Sequence, residues 1–387
     1  MLRQQRGLLR GCLLQLSKPI SSWFSSASGP CSVGIVGLPN VGKSTLFNAL
    51  TATQLAQAAN FPFCTIEPNI GRVAVPDARL DQLAAAAKSA KKIHSQLEFV
   101  DIAGLVKGAS SGAGLGNKFL GHVRQVPVIA HVVRCYDDDD ITHVEKGIDP
   151  ARDAEIIETE LLLADLQVME KRLSAKKKDA GSGFYKKVTD ALALGHPARS
   201  VQPATPDEAA WMRDLSLLTS KPMLFVCNVG ERDAAAGNAH SSALQRWAAS
   251  RGDAQVCIVS AKLEDEVAQL KDASERASFL EMYDLKATGL EKVVSCCYSL
   301  LSLATFYTVG PQEARAWSFK RHSKAPSAAG LIHSDIQQRF ICADVVSSRD
   351  FLDCGGEAGA REKGRLRVEG KEYVMNDGDV VHFKHNA

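Results

Sequence analysis

The sequence contains no apolar run approaching the roughly 20 residues that cross a bilayer as a helix, so no membrane insertion is expected. It carries no strong excess of either charge. The 46 Lys and Arg residues against 44 Asp and Glu leave a net charge of +2. No whole-molecule field therefore draws the chain onto nucleic acid, and any such contact must use local patches. There is no Cys-x-x-Cys pair among its ten cysteines. Adjacent Cys296 and Cys297 suit neither a metal cage nor an ordinary disulfide, so all ten read as reduced thiols in an intracellular compartment. Finally, no acidic residue precedes Glu67.

That last absence sets the N-terminus apart. Arg3, Arg6, Arg10 and Lys18 punctuate Leu8, Leu9, Leu13, Leu14 and Leu16, and a serine-rich run from Ser21 to Ser28 follows. Arg-rich, Ser-rich, acid-poor and amphipathic is the composition of an organellar transit peptide. Residues 1–30 are read as one, with the arginines near Met1 favouring the mitochondrion over the plastid. The competing reading is a tail without a targeting role, on a cytoplasmic protein.

What is present is a phosphate-binding signature. Gly37 to Ser44 fits G-x-x-x-x-G-K-S/T, after an apolar run from Val33 to Val36 and before a helical pattern from Ser44 to Ala52. Gly37 and Gly42 allow backbone angles that turn the N–H groups of Asn40, Val41, Gly42, Lys43, Ser44 and Thr45 toward an anion. Lys43 brings a point charge to the β and γ phosphates, and the Ser44 hydroxyl is a Mg²⁺ ligand in this pattern. The helix N-terminus adds its partial positive charge.

Beyond Cys31, strands alternate with helices, which predicts an α/β fold with a mostly parallel sheet. Leu97–Asp101, Pro127–Cys135, Pro222–Asn228 and Gln255–Ser260 are the further strands. Ligands of such sheets sit beyond the carboxyl ends of the strands, where Asp101, Asn228 and Ser260 fall. Between the second and third of these strands, Leu162, Leu166, Met169 and Leu173 recur at helical spacing, so residues 149–219 read as an inserted helical hairpin with its stripe packed inside. Helices continue from Ser260 to about Leu303. Short β-type runs follow at Ala314–Phe319, Phe340–Val346, Lys371–Met375 and Val380–Phe383, suggesting a small β-grasp-like module. The domains are therefore drawn as 31–303, interrupted by 149–219, and 304–387.

Asp101-Ile102-Ala103-Gly104 forms a D-x-x-G motif, whose acid stands beside Mg²⁺ through water and whose Gly104 N–H meets the γ-phosphate. Thr65, between two prolines, is the candidate second Mg²⁺ ligand of a switch loop. Guanine readers normally carry N-K-x-D; here the strand ends Asn228-Val229-Gly230-Glu231. The lysine is lost and the acid is one methylene longer, which opens the site to ATP or leaves it tolerant of either base. Ser260-Ala261-Lys262 fits the loop that touches the base. Leu105 occupies the position of the water-orienting glutamine and cannot hydrogen-bond, so slow intrinsic hydrolysis is expected. His143, after Asp137–Asp140, is a candidate replacement, with a plain surface histidine as the alternative.

These motifs resemble the YchF-type Obg-like ATPases. The resemblance rests on Gly37-Leu38-Pro39-Asn40-Val41-Gly42-Lys43-Ser44-Thr45, on Asn60 to Asn69, on Asp101-Ile102-Ala103-Gly104-Leu105-Val106-Lys107-Gly108-Ala109 and on His131-Val132-Val133-Arg134-Cys135. Ala329 to Asp335 and Asn376 to Val380 resemble the TGS module of the same family. The resemblance implies a doubly wound GTPase-like domain, ATP preference with Asn228, Val229 and Glu231 at the base, and Mg²⁺ at Ser44 and Thr65. It implies a histidine role at His143 and association of a monomer with the ribosome, on its large subunit, in translation or stress control. Lys171, Arg172 and Lys176–Lys178, with Arg315, Lys320, Arg321 and Lys324, are the candidate RNA contacts. The alternatives are a GTPase or dual-specificity enzyme, or a ribosome- or RNA-binding module in which nucleotide is structural.

Overall fold

The computed structural model describes residues 31–57, 70–102, 114–138, 140, 143–145, 147–174, 180–251, 255–270 and 272–386. Thr65, Gly104, Leu105 and Lys176–Lys178 lie outside them. No helix among the described residues is long and apolar enough to cross a membrane.

The first sheet has six strands in the order β2-β4-β1-β5-β6-β7. They are β1 (Ser32–Val36), β2 (Ile70–Ala74), β4 (Gln96–Asp101), β5 (Val128–Arg134), β6 (Met223–Asn228) and β7 (Gln255–Val259). β1, β5 and β6 are buried along their whole length, as central parallel strands covered on both faces must be. All neighbours are parallel except β2, an antiparallel edge strand. The carboxyl ends of β1, β4, β5 and β6 share one side, which brings Gly37, Asp101 and Asn228 together. Helices α1 (Lys43–Gln57), α3 (Gly114–Gln125), α7 (Ala239–Ser250), α8 (Ala261–Gln269), α9 (Ala273–Met282) and α10 (Gly289–Leu300) complete this layered unit.

The insertion forms as expected, from α4 (Pro150–Ser174), α5 (Ser182–Ala193) and α6 (Pro206–Leu215). Leu162 and Met169 are buried against Phe184, Val188 and Met212, with Leu166 beside them, so the stripe is internal packing. Leu173 is the exception, being 41% exposed. The opposite face of α4 sends Ala154, Ile157 and Leu161 into the main core. Buried polar groups fix the joint. The Asp165 carboxylate accepts from Leu218 N (2.8 Å), Thr219 N (2.7 Å) and Thr219 Oγ1 (2.7 Å). Two residues on, Lys221 Nζ donates to the carbonyls of Val123 (2.7 Å), Arg124 (2.7 Å) and Val126 (2.5 Å) at the end of α3. The helix that follows the D-x-x-G motif is thus tied to the insertion through the four residues Leu218 to Lys221.

The second sheet runs β11-β10-β12-β8-β9-β3. Its strands are β3 (Lys91–Ile93), β8 (Leu303–Val309), β9 (Glu313–Lys320), β10 (Phe340–Ser347), β11 (Arg367–Glu369) and β12 (Asp379–His385). Short helices α11 (Ala325–Ala329), α12 (Ser334–Gln338), α13 (Ser348–Asp353) and α14 (Glu357–Glu362) cover it. Lys371–Met375, expected as a strand, makes only an isolated bridge from Val374 to Lys324. The run after α10 becomes β8, in a stretch to which the sequence pattern assigned no strand.

The second sheet also takes in residues from the first third of the chain. α2 (Ala78–Ala87) buries Leu80, Leu83 and Ala84 against Tyr307, Ala316, Phe351 and Val380. β3 then pairs with β9, Lys91 opposite Glu313. Asp77 anchors the entry: it accepts from Arg79 Nε (2.9 Å) and from the Tyr307 hydroxyl, while Arg79 Nη1 reaches Asp377 (2.9 Å).

Candidate functional site: a phosphate cradle and a closed base loop

The phosphate loop leaves β1 at Gly37 and enters α1 at Lys43. Asn40 has φ 61° and Gly42 φ 93°, the left-handed region that lets successive N–H groups curl inward. Gly42 is required on a second count. A Cβ there would lie 2.3 Å from Asn228 Nδ2, so a side chain would expel the asparagine that braces the loop. Lys43 is 8% exposed, and its Nζ donates to Leu38 O at 2.7 Å. Burial pushes its pKa down, partly offset by Asp101. Ser44 and Thr45 open onto solvent at the helix start.

Asp101, at the end of β4, faces Ser44 with 3.5 Å between Oδ2 and Oγ. Burial pushes its carboxyl up, against the attraction of Lys43. Its Oδ1 is buried and has no hydrogen-bond partner among the described residues. A buried, unpartnered carboxylate oxygen beside a serine hydroxyl is an oxygen donor set that fits a hard divalent cation such as Mg²⁺.

The base side is built differently. Asn228 is 4% exposed; its Nδ2 donates to Val41 O (2.9 Å) and its Oδ1 accepts from Ala261 N (2.9 Å). It thus fastens the phosphate loop to the Ser260–Lys262 loop. Ser260 caps α8 by accepting from Leu263 N, and Ala261 is buried beneath it. Val229 turns into the core, 2% exposed, with its N–H on Val259 O. Glu231 is joined to Lys262 by a 2.6 Å ion pair, and this bond pushes the Lys262 pKa up. The carboxylate in the guanine-reading position is therefore already engaged by a cation.

His143 is nearly buried rather than on the surface. Its Nδ1 lies 2.8 Å from Glu145 O and 3.1 Å from Glu145 N, donating to the first or accepting from the second according to the tautomer, and its Nε2 lies 2.9 Å from Asp153 Oδ2 without hydrogen-bond alignment. Arg152 Nη2 completes the cluster, 2.9 Å from Asp153 Oδ1. Sequence reading found His143 but not Asp153, because an acid in the first turn of a helix is ordinarily a dipole partner. Of the C-terminal basic residues, Arg315, Lys320 and Lys324 are also engaged. Lys320 Nζ donates to Leu301 O (3.0 Å), Lys324 pairs with Glu372 (2.6 Å), and Arg315 stacks on Trp317 at 4.0 Å. In the insertion, Arg172 covers Tyr185 at 5.2 Å.

Known proteins share this arrangement. Residues 32–167 match the family described as 50S ribosome-binding GTPase, and residues 303–386 match the C-terminal family of YchF GTPases, described as a protein of unknown function. The Ribosome-binding ATPase YchF of Bacillus subtilis is 49% identical over 367 residues, covering 92% of this chain and 99% of that protein. That of Escherichia coli O157:H7 is 45% identical over 362 residues, with the same coverage of 92% and 99%. Among solved structures, the Schizosaccharomyces pombe YchF GTPase superposes with a TM-score of 0.84 at 36% identity, covering 93% of this chain and 99% of that one. With likeness of this degree over nearly the whole length, the chain belongs to the YchF family of Obg-like P-loop proteins.

Proposed function

We propose that this chain is a Mg²⁺-dependent ATPase that works as a switch on the ribosome, with slow hydrolysis until a partner engages it. The observation that carries the reading is the convergence of Lys43, Ser44 and Asp101, with one Asp101 oxygen buried and unpartnered, at the mouth of the phosphate loop. Its relatives are named as ribosome-binding ATPases.

The loop N–H groups and Lys43 hold the phosphates, and Lys43 exchanges its Leu38 carbonyl for a phosphate oxygen. Ser44 and Asp101, the latter through water, would hold Mg²⁺, with Thr65 as a further ligand; the ion would neutralise charge on the phosphate oxygens. Adenine is favoured because Glu231 is neutralised by Lys262 and so makes a poor acceptor for the two N–H groups of guanine. Leu105 offers no water-orienting group. His143 reaches an attacking water only by leaving Asp153, which gives the slow basal rate a physical cause. The Asp165 and Lys221 bonds carry movement of α3 into the insertion, where a large partner can read it. We place the partner contact on the large ribosomal subunit and the protein in the mitochondrion, the latter on the composition of residues 1–30.

The decisive assay compares wild type with Lys43→Ala for ATP turnover, with and without ribosomes and Mg²⁺. Turnover lost by about 10² or more in the variant is expected, since the lysine meets the transferring phosphoryl group. No ATP turnover by wild type, even with ribosomes, would overturn the switch reading in favour of a binding module with structural nucleotide.

A further inference from the structure

Two pairs of thiols meet on the first sheet, one on each face. Val226 is opposite Cys257 and Cys227 is opposite Ile258, so Cys227 and Cys257 point to opposite faces. On one face Cys227 meets Cys135, which lies two residues beyond its register partner Val133. Both are 0% exposed. On the other face Cys257 meets Cys296 of α10, thiol to thiol. Cys257 lies in the core there with Val293, Val294 and Cys297, whereas Cys296 sits at the core's margin and is half-buried. The second pair is open to a small solute, and the first is sealed.

Adjacency in sequence does not make Cys296 and Cys297 partners. Neighbouring Cα atoms stand about 3.8 Å apart, below the ~4.4–6.8 Å that a disulfide spans. Cys297 faces the core instead, where burial pushes its thiol well above the usual range. Cys296 behaves in the opposite way. The hydrogen bond from the Cys257 thiol outweighs burial and pulls Cys296 down to about 7, while Cys257 keeps its proton. A nucleophilic sulfur near the surface with a protonated sulfur behind it is the arrangement of an attacking and a resolving thiol.

We infer that Cys257 and Cys296 form a peroxide-sensitive dithiol, closing to a disulfide that locks α10 to β7 and weakens nucleotide binding. The Cys296 thiolate attacks one peroxide oxygen and breaks the O–O bond; the sulfur becomes a sulfenic acid, and the departing hydroxide takes up a proton. The Cys257 sulfur then attacks the Cys296 sulfur. The S–S bond forms, the S–O bond breaks, and the leaving hydroxide carries off the Cys257 proton as water. The two thiols lose two electrons in all, and hydrogen peroxide gains them as two molecules of water. An external dithiol reverses the bond by exchange.

The effect of closure falls on the base side. α10 is packed onto the end of β7: a Cβ at Gly289 would lie 3.0 Å from Val259 Cγ1, and Glu264 of α8 holds Gly289 N at 2.5 Å. Val259 leads directly into Ser260 and Ala261, and the Ala261 N–H bonds Asn228 at 2.9 Å. A covalent bond draws β7 and α10 closer than two thiols in contact can stand. The tight Gly289–Val259 contact passes that displacement to the base loop.

The test uses the full-length protein, either reduced with dithiothreitol or treated with hydrogen peroxide. After peroxide, peptide mass spectrometry without reduction is expected to find Cys257 joined to Cys296, with Cys135 and Cys227 still free to be alkylated once the chain is unfolded. Cys257→Ser is expected to leave Cys296 as a sulfenic acid that dimedone traps. These readouts need no nucleotide. The second arm rests on the ATP reading above. Peroxide is expected to lower ATP affinity several-fold in wild type and dithiothreitol to restore it, while Cys296→Ser binds ATP as reduced wild type does under both conditions. The inference is overturned if Cys257 and Cys296 stay free at peroxide levels that oxidise the half-buried Cys342 or Cys354, or if the disulfide-bonded protein binds ATP unchanged. Failure of reduced wild type to bind ATP would count against the ATPase reading alone, since the disulfide is read without nucleotide.

Discussion

On the phosphate side of the cleft, Lys43, Ser44 and Asp101 converge with their polar atoms lightly committed, and one carboxylate oxygen has no partner among the described residues. On the base side, Asn228, Glu231 and Lys262 are bound to protein groups already. The first half is arranged to gain interactions when a ligand arrives. The second is arranged to exchange them. In such a site the phosphates supply most of the affinity, and the choice of base rests on which internal bonds a purine can displace.

Three perturbations test that contrast. The largest effect is expected from Asn228→Ala, because the residue joins the two halves. Its loss strands the Val41 carbonyl and the Ala261 N–H in a buried place, at about 1–3 kcal/mol each. Urea unfolding is expected to show a loss of about 3 kcal/mol, with ATP affinity at least tenfold lower. A loss below about 0.5 kcal/mol, the scatter of neutral surface changes, would show that the halves stand independently.

The next concerns Glu264, behind the base loop on α8. It is 2% exposed, its Oε1 accepts from Gly289 N at 2.5 Å, and burial pushes its pKa up to about 7. The raised folded-state value means that the native form holds a proton the unfolded chain releases above about 4.5. This group's contribution is complete below about 4.5 and is lost as pH rises through about 7, an effect of ~1–3 kcal/mol. Stability curves of wild type and Glu264→Gln are expected to diverge across that window and run parallel above it. Parallel curves throughout would remove the base side's dependence on this carboxyl.

The smallest effect is expected from Lys262→Ala, at a side chain that is 75% exposed. Freed of its cation, Glu231 becomes a better acceptor for guanine. GTP is expected to compete against ATP several-fold better, while ATP affinity itself changes less than about twofold. Unchanged competition would place base selection elsewhere than at the Glu231–Lys262 pair.

The phosphate side was legible in the sequence because its geometry is local. Gly37, Gly42, Lys43 and Ser44 act within one turn of chain, and Asp101 and Asn228 announced themselves by ending buried strands. The base side was half legible. The replaced reader at Val229 and Glu231 was visible, but the Glu231–Lys262 pair joins residues brought together only by β6 and β7 lying side by side. Of the second sheet, β9, β10 and β12 were visible as alternating runs. β8 was hidden in an apolar stretch continuous with α10, and Lys371–Met375 alternated like a strand without a neighbour along which to pair. β3 was out of reach, since Lys91-Lys92-Ile93 carries no strand pattern and its partner lies some 220 residues later.

That distant partnership bears on how the chain is made. Leu80, Leu83 and Ala84 are synthesised early, yet the surfaces that bury them, Tyr307 and Val380 among them, come last. At ~5–20 residues per second, an apolar helix face waits on the order of 10–60 s for its cover. During that interval the nascent chain offers a sticky surface to whatever is near. For the same reason, the C-terminal sheet is not a detachable part. Scission before β8 would leave the Leu80 face bare and β3 without its neighbour, so the two sheets rise and fall as one cooperative unit.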